Sequence, residues 1–273
     1  DGLEMVSEKV RFHIGRELSL EEILSYSIRI YRRSFVNLFV PYLILGAVYG
    51  ALNYWAISAL PPSPIMDIIG PEALIDWIIH LSTIILIVGL IGWILNVMVQ
   101  GYSVKYSSTL ITDETLRVKE AAGQAIRKLP KLIAASLIAN LLIGVGLLLF
   151  IVPGVILAVM FSLIIPVITL EDRKVLEGLS RSKRLVSKRW GKTLLLLLTL
   201  VAVILTTEIL GSMIAVALDP VGYAISIIAT AIVEPIYPVA ITCLYYSMKA
   251  KESAKEGKPK EMRPRALPVK YCI

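Results

Sequence analysis

The positive charges of this chain are confined to four segments. All 28 Lys and Arg residues lie within residues 1–34, 103–131, 173–192 and 249–270, and the apolar stretches between these segments contain none. Because loops that remain in the cytoplasm retain Lys and Arg, the pattern predicts that all four segments are cytoplasmic. We therefore expect a plasma-membrane protein with both termini inside, whose opposite face carries only acidic residues such as Asp67 and Asp219.

Each apolar stretch is long enough for two membrane crossings, since one helical crossing needs about 20 residues. We predict six spans, near residues 35–60, 74–102, 132–150, 154–170, 193–218 and 221–248. With 56% apolar residues and a net charge of +7, the composition excludes a soluble domain. The predicted class is an all-α polytopic membrane protein, with a cytoplasmic N-terminus (1–34), a membrane domain (35–248) and a basic tail (249–273).

The segments that precede spans one, three and five form an internal repeat. In each copy a Glu is followed after seven residues by an Arg and after four more by a second cation. The three sets are Glu22, Arg29 and Arg33; Glu120, Arg127 and Lys131; and Glu177, Arg184 and Lys188.

Apolar residues follow the same frame at helical spacing. We predict three parallel repeats, near 19–111, 112–170 and 171–248, each an amphipathic helix followed by two spans. These helices should lie in the cytoplasmic interface with their apolar side toward the hydrocarbon. The pair Ser19 and Glu22 has the spacing of a capping box and should begin the first helix.

The repeated cations allow two interpretations. An acid of one copy could pair with a cation of the next and link the copies. Alternatively, the cations form a basic collar that binds the phosphates of anionic lipids, to which Arg donates two parallel hydrogen bonds. The candidate headgroup ligands are Arg29, Arg33, Arg127, Lys131, Arg184 and Lys188. Nucleic acid is not a predicted partner, since the chain has no basic platform interleaved with aromatic residues.

Polar residues inside the spans are the second set of candidates. Glu208 follows Thr207 in span five, and Glu234 precedes Pro235 in span six. A carboxylate in hydrocarbon is costly, so these acids form either a proton or cation site, or neutral hydrogen-bonded groups. In span two, His80 follows Asp76 by four residues and shares its helical face. We predict that His80 forms hydrogen bonds rather than binding a metal.

Small residues and prolines mark close contacts and bends in the spans. Gly46 and Gly50 form a GxxxG pattern, which permits close helix packing within the chain or in a homo-oligomer. Prolines inside spans predict kinks; these are Pro41, Pro166, Pro235 and Pro238. Few Asn and Gln residues among many Lys, Glu, Ile and Leu hint at a thermophilic source.

The run Phe150-Ile151-Val152-Pro153-Gly154-Val155-Ile156-Leu157-Ala158, together with the opening Leu18-Ser19-Leu20-Glu21-Glu22, resembles a known membrane family. That family is the membrane domain attached to some glycerophosphodiester phosphodiesterases, and it also occurs as free-standing integral membrane proteins of archaea and bacteria. The resemblance implies the six-span fold. It does not carry over phosphodiester hydrolysis, because that activity belongs to a separate soluble barrel of about 250 residues.

These observations favour a non-enzymatic protein without metal or cofactor. Metal-assisted hydrolysis needs clustered His and carboxylate ligands, whereas the sequence contains only His13 and His80. The first predicted function is a structural or accessory role, in which the basic collar binds anionic lipids or a partner. The alternative is a small transporter or channel in which Glu208 and Glu234 line a path for protons or cations.

Overall fold

The computed structural model describes residues 16–59, 71–112, 118–218 and 221–255, and all of the regular secondary structure in these residues is helical. The ten helices found there are α1 (Leu20–Arg33), α2 (Phe35–Ala59), α3 (Pro71–Thr112), α4 (Val118–Leu149), α5 (Ile151–Phe161), α6 (Ile164–Glu171), α7 (Val175–Ser187), α8 (Trp190–Ala217), α9 (Val221–Val233) and α10 (Ile236–Lys255).

Six helical segments are long and apolar enough to cross a membrane: Phe35–Ala59, Leu74–Thr112, Val118–Leu149, Ile151–Glu171, Trp190–Ala217 and Val221–Glu252. The predicted all-α polytopic class with six spans is therefore confirmed. The fourth span consists of α5 and α6, and the sixth consists of α9 and α10. The exposed large side chains of the six spans are mainly Ile, Leu and Val, and no other part of the described chain packs over them. Such an apolar surface is the one a protein presents to lipid.

Helix α1 begins as the sequence predicts, but its apolar side faces protein. Glu22 donates its backbone N–H to Ser19 Oγ at 3.2 Å, and Ser19 donates its own to Glu22 Oε2 at 2.7 Å, so the capping box is confirmed. Ile23 and Ile30 are fully buried in a core cluster that includes residues of α10. The predicted orientation of this stripe toward hydrocarbon is wrong, because a neighbouring span covers it.

Two helices are longer than the predicted spans. Helix α4 runs without interruption from the amphipathic segment into span three, passing Pro130 and the predicted start of that span at residue 132. Helix α3 continues ten residues beyond Tyr102 to Thr112. Its last turns can be polar because their hydroxyls bond to carbonyls of the same helix: Thr109 Oγ1 donates to Tyr106 at 2.7 Å and Thr112 Oγ1 to Ser108 at 3.0 Å.

Spans four and six are broken at equivalent positions. Helices α6 and α10 begin at Ile164 and Ile236, each two residues before a proline, Pro166 or Pro238. Pro41, in contrast, lies within the unbroken helix α2. The carbonyl four residues before each new helix accepts a hydrogen bond from an amphipathic helix. Met160 accepts from Ser182 at 2.7 Å and Ile232 from Tyr31 at 2.8 Å, which satisfies the carbonyls that the breaks release.

The repeats contact one another in a ring. Helix α7 packs against α5 and α6, the start of α4 packs against α3, and α1 packs against α10. Each amphipathic helix therefore lies against the second span of the preceding copy, and α1 closes the ring onto the last one. The second spans also contact one another through α3, α6 and α10. Tyr102, Tyr106, Leu163 and Tyr245 belong to the resulting central core. The proposed repeat boundaries themselves stay a prediction.

Candidate functional site

A basic pocket of about 510 Å³ opens where helix α7 meets the end of α10. Six cationic side chains line it, together with Leu185, Met248 and Glu252. The cations are Arg173, Arg181, Arg184, Lys188, Arg189 and Lys251. Asp172, immediately before them, caps α6 in the left-handed conformation (φ 48°), which an Asp side chain tolerates better than most. This sharp reversal brings Arg173 and α7 back against the end of α10.

Arg181 is the structural centre of one wall. Its side chain is only 8% exposed and donates to two carboxylates, from Nη1 to Glu252 Oε1 at 2.6 Å and from Nε to Glu171 at 3.2 Å. Tyr245 also donates to Glu171, at 2.9 Å. The hydrogen bond to Glu252 raises the pKa of Arg181. Arg181 is thus a neutralised link between α6, α7 and α10.

Glu17 neutralises part of the opposite wall. It accepts hydrogen bonds from Arg189 and Lys251, which joins the segment before α1 to the start of α8 and the end of α10. Burial raises the pKa of Glu17, but the hydrogen bonds from Lys251 and Arg189 outweigh burial and hold the pKa below its usual range. These two cations therefore also serve the fold.

Arg184 and Lys188 remain available. Arg184 is exposed on α7 and Lys188 is exposed at the residue that caps this helix, and neither forms a salt bridge within the described residues. They lie one turn apart on the same face, beside the buried side chains of Leu185 and Met248. A guanidinium and an ammonium group in this arrangement can bind a phosphate group.

The six predicted headgroup ligands do not converge on one site. Only Arg184 and Lys188 line the pocket. Lys131 donates to Asp172 Oδ1 at 3.1 Å, a bond that lowers the pKa of Asp172. Arg29 lies 5.6 Å from the ring centre of Tyr26. The remaining two, Arg33 and Arg127, are exposed and do not line the pocket.

Ion pairs do link neighbouring repeats, and Asp172 and Glu17 take part in them. Asp172, which precedes α7, pairs with Lys128 and Lys131 of α4, and Glu17, which precedes α1, pairs with Arg189 after α7. The pattern acid Glu22 pairs with Arg16 within its own segment. Arg181 is not among the residues predicted from the sequence. Its position among the apolar residues of α7, between Gly178 and Leu185, is the one feature of the sequence that points to its burial.

The intramembrane acids lie on different elements that are close in space. Glu208 is on the exposed flank of α8, whereas Glu234 is half-buried at the break between α9 and α10, and the two carboxyl groups are close enough to interact electrostatically. Thr207 does not join them, since its hydroxyl donates to the Val203 carbonyl of its own helix at 3.0 Å. Of the three predicted acids, Glu234 occupies the most enclosed position, since Asp76 and Glu208 are exposed.

His80 and Asp76 are both exposed near the start of α3. His80 Nδ1 lies 2.8 Å from the backbone oxygen of Asp76, not from its carboxylate, so the ring bonds to its own helix. The described residues contain no group of three or more His, Cys, Asp or Glu side chains that could hold a metal ion.

The small-residue patterns are used within the chain. A side chain at Gly46 or Gly50 would meet Ile227 of α9, and one at Gly211 would meet Ser226 of the same helix. These glycines therefore bring α9 close to its neighbours α2 and α8, and of the two alternatives left open for the GxxxG pattern they support packing within one chain.

Comparison with known proteins places the chain among membrane proteins. A UPF0259 membrane protein of Serratia proteamaculans (strain 568) is 39% identical over 79 residues, which cover 29% of this chain and 31% of that protein. No solved structure matches the chain. These matches do not include an enzyme family, and they show no link to the glycerophosphodiester phosphodiesterases. The family described as a domain of unknown function (DUF7847) matches residues 18–248, and the chain therefore belongs to that family.

Proposed function

We propose that this protein is a non-enzymatic accessory protein of the plasma membrane that binds the phosphate groups of anionic lipids in the basic pocket. The observation that carries the proposal is the pair Arg184 and Lys188, which line the pocket, are exposed and form no salt bridge within the described residues.

The charge balance of the pocket supports an anionic ligand. Six cations line it, and the carboxylates that contact them are those of Glu252, Glu171 and Glu17. An excess of positive charge therefore remains. Each basic side chain near an anionic membrane surface contributes about 1 kcal/mol of attraction. Leu185 and Met248 are 5% and 1% exposed, so the cations rather than these side chains would recognise the ligand, and the competition with inorganic phosphate below separates a lipid phosphate from a free anion.

We expect the double variant Arg184→Gln and Lys188→Gln to bind phosphatidylglycerol about 30-fold more weakly, which corresponds to about 1 kcal/mol for each lost cation. The purified protein in neutral detergent would be titrated with fluorescent phosphatidylglycerol, and with phosphatidylcholine for comparison, at two salt concentrations. Inorganic phosphate serves as competitor: displacement of the lipid only at millimolar phosphate indicates lipid binding, and equal affinities indicate a free-anion site.

The matched control is the double variant Lys119→Gln and Arg127→Gln, which removes two exposed cations of α4 outside the pocket. Its affinity for phosphatidylglycerol should stay within about twofold of the parent. Equal losses in both double variants would argue for a diffuse basic collar, and no loss in either would reject the proposed lipid site.

We also propose that the basic pocket and both termini face the cytoplasm, as the distribution of Lys and Arg predicts. A membrane-impermeant amine reagent added to intact cells should leave the lysines between Lys105 and Lys131 unmodified, and should modify them once the cells are opened. Modification of these lysines in intact cells would reverse the orientation.

A second candidate function is the passage of protons or cations. The broken spans α5–α6 and α9–α10 occupy equivalent positions in two repeats, and Glu234 lies at one of the breaks. Discontinuous helices at corresponding positions of repeated units are a feature of ion and substrate sites in transporters.

A further inference from the structure

The break between α9 and α10 presents oxygen atoms inside the membrane. Helix α9 ends at Val233 and α10 begins at Ile236. Because Pro235 has no N–H, the carbonyl of Ala231 loses its helical donor. The C-terminal end of a helix carries partial negative charge, and the Glu234 carboxyl group lies directly at this end.

Two buried hydroxyl groups lie next to this break. Tyr42 of α2 is 2% exposed and packs in one cluster with Ala231 of α9 and Val99 of α3. Ser103 of α3 is fully buried. The hydroxyls of Tyr42 and Ser103 are within reach of each other, and neither bonds to any other group within the described residues. Their remaining oxygen lone pairs are buried without a donor, so a ligand that both hydroxyls could contact would stabilise the site.

The electrostatic surroundings of Glu234 favour a cation. Glu208 of α8 is close enough to interact with Glu234 electrostatically, and a second carboxyl group nearby makes the site more attractive to a cation. Glu234 is also close enough to the Tyr42 hydroxyl to interact with it electrostatically, and so is Tyr237 of α10. No Lys or Arg neutralises the carboxylate, because all such residues lie in the four basic segments.

We propose that Glu234, the hydroxyls of Tyr42 and Ser103, and the carbonyl of Ala231 bind a monovalent cation such as Na⁺. All four donors are oxygen atoms, which hard cations prefer. A single carboxylate at the centre matches one positive charge, whereas divalent ions are held by more carboxylates. The proposal extends the second candidate function by naming its ligand, and it is independent of the lipid pocket.

The test is equilibrium binding of radioactive Na⁺ to the purified protein in detergent, with choline chloride maintaining the ionic strength. The parent should show saturable binding of about one Na⁺ per chain. Glu234→Gln should abolish this binding, and Tyr42→Phe should weaken it about tenfold. The control Glu177→Gln, which changes an exposed carboxylate of α7, should bind like the parent.

Two further variants keep the test decisive. If Glu234→Gln fails to fold, Glu234→Asp retains the charge and should still bind Na⁺, with lower affinity than the parent. Absence of saturable Na⁺ binding by the folded parent would overturn the proposal, as would undiminished binding by Glu234→Gln. A Na⁺ flux assay in liposomes then separates site from passage, because binding without flux retains the site and rejects the transport function.

Discussion

Replacing Arg181 with Leu is expected to lower the free energy of unfolding by about 3 kcal/mol. The Arg181 side chain is 8% exposed and bonds to both Glu171 and Glu252, so its loss leaves carboxylates with too few partners in a largely buried place. The same change disconnects α7 from the end of α10. Thermal unfolding of the purified protein in detergent should show a midpoint lower by on the order of 10 °C.

Arg184→Leu is the matched control, because Arg184 lies on the same helix and is exposed. Its effect on stability should be within about 0.5 kcal/mol. Adding Glu171→Gln and Glu252→Gln to Arg181→Leu should restore part of the lost stability by removing the unpaired charges. If Arg181→Leu and Arg184→Leu unfold at the same temperature, the buried ion pairs do not hold α10 to α7.

Gly222→Ala is expected to destabilise the hairpin of α8 and α9 by about 3 kcal/mol. A methyl group at this position would lie 2.2 Å from the carbonyl oxygen of Ile214 and 2.7 Å from Cα of Ala215. Both atoms belong to the backbone of α8, so no side-chain rotation can relieve the clash and the helices must separate. The measurement is the midpoint of thermal unfolding, together with the fraction of protein that remains monodisperse in size-exclusion chromatography.

Gly144→Ala provides the comparison for this substitution. Gly144 lies in α4, and a methyl group there would have no neighbouring atom within 4 Å. Replacing a helical Gly by Ala at such a position should stabilise the protein by up to about 1 kcal/mol. Opposite signs for the two variants would confirm close helix contact at Gly222. Equal effects would contradict it.

The two predictions rest on different kinds of helix contact. At Gly222 the backbones approach because a small residue permits it, and packing supplies the attraction between membrane helices. At Arg181 the helices extend beyond the apolar spans, where charged side chains can pair. The ring of repeats uses both kinds, with small residues around α9 and ion pairs through Glu17, Asp172 and Arg181.

Part of the candidate site could be predicted from the sequence. The repeated frame identifies Arg184 and Lys188, and the apolar spans make Glu234 conspicuous. Tyr42 and Ser103, in contrast, are unremarkable in the sequence, since hydroxyl residues in spans commonly bond to their own helix. Their position beside Glu234 depends on how α2, α3 and α9 pack. Arg181 looks like one more cytoplasmic cation until burial distinguishes it from Arg184.

The sequence by itself determined the six spans, the capping box at Ser19 and the segregation of charge, because hydrocarbon length, helix-end hydrogen bonding and the cost of moving cations across a membrane act locally along the chain. Only the tertiary structure decided that the apolar side of α1 faces α10, that α4 passes Pro130 without a break, and which cations remain unpaired. These outcomes depend on residues more than 100 positions apart, such as Glu17 with Arg189 and Tyr31 with Ile232. Packing selects such contacts, and no local pattern specifies them.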